Sequence, residues 1–106
     1  MSFNSWGFIY LGLGEEDPAV DRAVIQRGGL KTTIVAVSTR EAAVDVAVEL
    51  VEAGAQSIEL CGGFGSAVTT RVIEAVGDRV PVGAVSYTME SVHLLASLFT
   101  SAAESR

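Results

Sequence analysis

Four apolar, β-rich runs recur along the chain at nearly equal intervals: Gly7–Leu11, Thr32–Val37, Ser57–Cys61 and Val80–Val85. Their starts lie roughly 25 residues apart, and each interval carries a helical pattern, which is the spacing of repeated βα units. Strands joined by crossover helices pair in parallel. The stretches Phe8-Ile9-Tyr10-Leu11 and Ile34-Val35-Ala36-Val37 are almost wholly apolar, which fits strands covered on both faces. The fold class expected is therefore α/β: four βα units with a mainly parallel four-stranded sheet, either an open three-layer sheet or a half-barrel. A ferredoxin-like plan would need two consecutive strands without a helix between them, and none is read.

The four helices have their own punctuation. The first is expected to start at Asp17 as N-cap with Pro18 in the first turn. Val20, Val24 and Ile25 form its apolar stripe, and Gly28-Gly29 ends it. In the second, Ser38 and Glu41 have the spacing of a capping box and Gly54 is the stop. The third runs from about Ser66 to Val76 and stops at Gly77. Pro81 then opens the last strand, where a missing N–H is tolerated. A final helix, from about Met89 to Thr100, places Val92, Leu95, Ala96 and Phe99 on one side.

A chain of 106 residues suits one βα-repeat domain, residues 1–106. Half of it is apolar, 49%, and only 19% is charged. A chain this short buries only about two-thirds of its unfolded surface, so a homo-oligomer is expected to hide the remainder. Seven basic against thirteen acidic residues leave a net charge of −6 with no Lys/Arg cluster. That balance argues against nucleic acid, whose binding rests on phosphate neutralisation, and against an anionic membrane surface. One cysteine, Cys61, excludes an internal disulfide framework and fits a reducing compartment. One Cys and one His, His93, do not make a zinc site, and no cofactor is expected. The run Trp6–Leu13 lacks a basic flank and meets Glu15-Glu16-Asp17 at once, so a cytoplasmic protein is the default.

Parallel α/β sheets bind ligands beyond the carboxyl ends of their strands. The candidate positions are then Gly12, Gly14, Glu15 and Glu16 after the first strand, and Ser38, Thr39 and Arg40 after the second. Cys61 to Ser66 follow the third; Ser86, Tyr87, Thr88 and Glu90 follow the fourth. The third turn is the most distinctive: Glu59-Leu60-Cys61-Gly62-Gly63-Phe64-Gly65-Ser66 runs from strand through glycines into a helix start. Close backbone approach and unpaired N–H groups there could hold a phosphate, carboxylate or enolate oxygen. The competing reading is that the glycines only make a tight βα turn.

Strand alternation places Glu59 and Cys61 on one face, about 7 Å apart. Glu59 is either a general base with a raised pKa or the partner of a cation such as Arg40, Arg71 or Arg79. Cys61 is either a nucleophile or acid near a helix N-terminus, or a small buried hydrophobe. Arg71 either flanks the loop with positive charge or is a solvated helix residue. Tyr87 and Thr88, at the end of the fourth strand, either orient a ligand or cap the last helix. His93 reads as a surface or interface residue, and the acidic cluster as a solvated loop rather than a metal site.

The segments Phe8–Leu11, Gly28–Thr33 and Ile58–Gly65, continued through Arg71–Val76 to Val80–Gly83, resemble a family of small bacterial α/β proteins of unknown function. The Glu-Leu-Cys-Gly-Gly-Phe-Gly loop is the specific part of that resemblance. It implies a fold and a focus on this loop, and no catalytic roles. Ala53–Leu60 is also similar to strands of phosphate-handling (β/α)8 barrels, in a generic way. The function expected is binding of a small anionic metabolite by Gly62, Gly63, Phe64, Gly65, Ser66, Arg71 and Tyr87. Glu59 and Cys61 are candidates for proton transfer of isomerase or lyase type. The rival is a non-catalytic assembly or regulatory module that uses Leu94, Leu95, Leu98 and Phe99 of the last helix as contact surface.

Overall fold

The computed structural model describes residues 2–104. Its elements are β1 (Ser5–Leu11), β2 (Arg22–Arg27), β3 (Leu30–Val37), α1 (Arg40–Glu52), β4 (Ile58–Leu60), α2 (Gly65–Val76) and β5 (Val82–Ala84). A single 3-10 turn, Met89–Ser91, leads into α3 (Val92–Glu104). The strands form one open sheet in the order β2-β3-β1-β4-β5, parallel throughout except for β2.

The α/β class and the mainly parallel sheet stand, but the sheet has five strands and is open rather than a half-barrel. The correction lies in the first interval, where the expected helix is β2, an antiparallel hairpin arm on β3. Two residues connect the arms, Gly28 and Gly29, with φ of +66° and +81°. Two consecutive left-handed residues make the turn whose twist matches a hairpin, and glycine adopts them without strain. The same two glycines read equally well as a helix stop, but Val24 and Ile25 prefer extended backbone and pair with Thr33 and Thr32. Asp17 still organises a turn, through bonds to the Ala19 and Asp21 backbone, without starting a helix.

Alternation along β1 and β3 sets the two faces. Gly7 and Ile9, paired with Thr33 and Val35, point towards the helices and are buried. Ile58 and Leu60 of β4 join them. α1 lays Ala43, Val46, Ala47 and Leu50 on this layer, and α2 adds Val68, Val72 and Val76. Each fully buried Val, Leu or Ile contributes roughly 1.5–3 kcal/mol. α1 approaches β1 closely at Gly7, where a Cβ would stand 2.7 Å from Leu50 Cδ1. The cap of α1 is Thr39, whose hydroxyl accepts from the Ala42 N–H at 3.2 Å, so the helix starts one residue later than a Ser38 box would put it.

The strands are not covered on both faces. α1 and α2 pack against each other on one side, and the side chains of Trp6, Phe8 and Tyr10 stand on the other, with no described helix over them. α3 packs chiefly on the turn that precedes it and extends from the carboxyl edge of the sheet. An edge strand so short as β5 leaves little open backbone to recruit another strand.

Candidate functional site

Because α1 follows β3 and α2 follows β4, both helices open at the carboxyl edge of the sheet. Two adjoining cavities, of about 710 and 530 Å³, lie there. Cys61, Gly62, Tyr87 and Leu95 border both. The larger is completed by the ends of β1 and β3 (Leu11, Leu13, Ser38, Thr39, Arg40), with Phe99 of α3. The smaller runs along the start of α2, past Ser66, Thr69 and Thr70, to Ser86.

Among the described residues, Arg40 is the sole charged side chain in either lining, in a chain with thirteen acids. Its guanidinium Nη2 donates to the Gly63 carbonyl at 3.2 Å, bracing the glycine loop against α1. No side chain caps α2, so its first-turn N–H groups keep their donor capacity. Gly65 begins that helix at φ +79°, and Gly62 lies so near the Val85 carbonyl, 3.2 Å from where its Cβ would be, that a side chain would have to push it away. The Cys61 thiol is half-buried and accepts from the Leu11 N–H at 3.3 Å, tying β4 to β1 at the cavity floor.

Of the residues expected at the site, Cys61, Gly62, Gly63, Gly65, Ser66 and Tyr87 meet at these cavities. Three do not. Phe64 turns into the core, 3% exposed, as a member of the cluster that includes Val68 and Leu60. Arg71 is exposed on α2 and borders neither cavity. Glu59 is exposed on the helix-free face, opposite Phe8 and Gly83, and makes no ion pair among the described residues. The thiol and the acid diverge because β4 ends at Leu60, and alternation does not carry into the loop. Sequence reasoning placed Arg40 among the positions beyond the strands but passed over it for the site; its adjacency to the Thr39 cap was the usable signal. Leu95 and Phe99 carried none, since only the path of the chain after β5 brings them over the edge.

Beside the larger cavity, the loop after β1 holds an anion of its own. The Glu16 carboxylate accepts N–H bonds from Leu13 (3.0 Å), Gly14 (2.9 Å) and Glu15 (3.1 Å). It lies over Gly12, where any Cβ would overlap it. The bond from Gly14, then that from its own backbone and that from Leu13, hold the Glu16 carboxyl below its ordinary pKa. The local backbone is thus already arranged as an anion-binding concavity.

A family model matches residues 4–100. The chain belongs to DUF6506, a family of unknown function. No curated protein and no solved structure matches it. No group of three or more His, Cys, Asp or Glu that could hold a metal occurs among the described residues. No described helix is long and apolar enough to cross a membrane.

Proposed function

We propose that this DUF6506 chain binds a small organic anion, a carboxylate or phosphate ester, at the carboxyl edge of its sheet. The observation that carries the reading is the charge of the lining: among the described residues it holds one guanidinium, Arg40, and no acid, in a protein of net charge −6. The Glu16 carboxylate beside it is bound by its own loop. The uncapped start of α2 adds its dipole and free N–H groups to the same space. Ser38, Thr39, Ser66 and Tyr87 supply hydroxyls for orientation, while Leu11, Leu13, Leu95 and Phe99 receive an apolar body. Cys61 is the one thiol at the floor. Proton transfer of isomerase or lyase type would require a base in the cavity, and Glu59 stands outside both linings. The Glu16 carboxylate, held ionised by its N–H donors, is a weak base. The reading is therefore one of binding.

The test is a thermal-shift and calorimetric screen with inorganic phosphate, phosphorylated sugars and 2-keto acids. A true ligand present at a hundred times its Kd raises stability by about 2.7 kcal/mol. Arg40→Gln weakens binding about tenfold or more, the loss of one charge-assisted contact. Glu59→Gln leaves binding unchanged. Failure of every anion to stabilise the protein, or equal binding by Arg40→Gln, removes the proposal.

A further inference from the structure

The helix-free face of the sheet carries a row of aromatic side chains that no described helix covers. The strand register puts Trp6, Phe8 and Tyr10 of β1 on it, with Thr32 and Ile34 of β3 and Ile25 of β2. The one strong polar group at its centre is already satisfied, since the Trp6 indole N–H donates to Thr32 Oγ1 at 2.8 Å. Tyr10 is 40% exposed and Ile25 57%. Only two charged residues are placed on this face by the register: Arg27 at the hairpin end and Glu59 on β4. Central depletion of charge around aromatic side chains is the composition of a protein interface core.

The accessible surface states how much is missing. A folded monomer of 11.0 kDa is expected to expose about 5,600 Å². This chain exposes 6850 Å². The excess, on the order of 1,200 Å², exceeds the roughly 800 Å² that one partner contributes to a standard stable interface. The projecting α3 shares in that excess with the uncovered sheet face.

We propose that a second copy of this chain covers that face, the two sheets packing face to face about a two-fold axis. β1 is the middle strand of the five, so its Trp6-Phe8-Tyr10 row lies where a two-fold axis would make it contact itself. A self-complementary patch needs no second surface on the molecule. The carboxyl-edge cavities lie off this face, so dimerisation and anion binding can fail separately.

Sedimentation equilibrium and light scattering on the whole chain test it. The expected species is a dimer of twice the 11.0 kDa chain mass. Tyr10→Glu, which brings like charges together at the centre, weakens the dimer by roughly 100-fold or more. Ile25→Lys, on an exposed edge strand, does the same without touching the core and guards against a folding defect. Circular dichroism and melting of both variants remain those of a folded monomer. Leu98→Glu on α3 leaves the dimer intact. A wild-type monomer at 100 micromolar overturns the proposal. So does a dimer broken by Leu98→Glu and untouched by Tyr10→Glu, which would make α3 the interface.

Discussion

Gly7 is where α1 comes closest to the sheet, and replacing it with alanine tests that contact quantitatively. The added methyl would meet Leu50 Cδ1 at 2.7 Å and Ile58 Cδ1 at 3.4 Å. Leu50 is 5% exposed and has little room to turn away. Overpacking of this size costs about 1–3 kcal/mol. Gly7 does not have a positive φ, so alanine fits the backbone and returns about 0.4–1 kcal/mol by restricting the unfolded chain. The net for Gly7→Ala is a destabilisation of about 1 kcal/mol. Leu50→Ala alone costs about 3 kcal/mol, transfer and cavity together. In the Leu50→Ala background the obstacle is gone, and the new methyl enters vacated space. Gly7→Ala then stabilises by about 0.5–1 kcal/mol. The sign of one substitution thus reverses, with a coupling of about 1.5–2 kcal/mol. Urea unfolding followed by the fluorescence of Trp6, the chain's single tryptophan, reads all four proteins. Additivity within about 0.5 kcal/mol would refute the close approach as the reason position 7 is glycine.

The hairpin and the acidic loop give two further tests. Gly29→Ala forces a side chain into the left-handed region at φ +81° and is expected to cost about 1–2 kcal/mol. Gly28→Asn is expected to be nearly neutral, because asparagine tolerates that conformation, and equal effects of the two in chemical denaturation would contradict the turn geometry. Glu16 titrates below its ordinary value in the folded chain, so its clamp is complete above about pH 4.5 and is lost as pH falls through the lowered value. The amide resonances of Leu13, Gly14 and Glu15 should shift together below pH 4.5. Constant shifts through that range would show that the carboxylate is not held there. Glu49, lowered mainly by its hydrogen bond from Arg22, follows the same sign.

The parallel part of the fold was legible because buried strands and amphipathic helices differ in period. Ile34–Val37 reads as a continuous apolar run, and Ala43, Val46, Ala47 and Leu50 repeat at helical intervals. β2 was not legible in the same way. Arg22-Ala-Val-Ile-Gln-Arg has apolar residues in the middle and cations at both ends, a pattern with no period to decide it. Gly28-Gly29 ends a helix or turns a hairpin equally well, and what decides is tertiary: β3 offers a free edge, and Arg22 reaches Glu49 of α1 at 2.8 Å. At the site, the glycine loop was legible through its composition. The direction of Glu59 was legible too, since it follows β4; that of Cys61 was not, because the strand stops one residue short of it.

α3 roofs the carboxyl-edge cavities with only one of its sides. Leu95 and Phe99 border the carboxyl-edge cavities, while Leu94 and Leu98 point outward at more than 60% exposure. Among the described residues, its contacts fall chiefly on the preceding 3-10 turn. An element with few buried contacts opens at low cost. A ligand that touches Leu95 on one side and Gly62 on the other has its full set of contacts only when α3 is docked. Its binding therefore draws α3 onto the edge by the difference in affinity between the two arrangements. Linkage makes the converse hold for the proposed ligand: whatever holds α3 down must tighten its binding by the same factor. If these cavities bind an anion as proposed, the apolar roof is the element through which occupancy is communicated, and Arg40, at the start of α1, is the element that selects the charge.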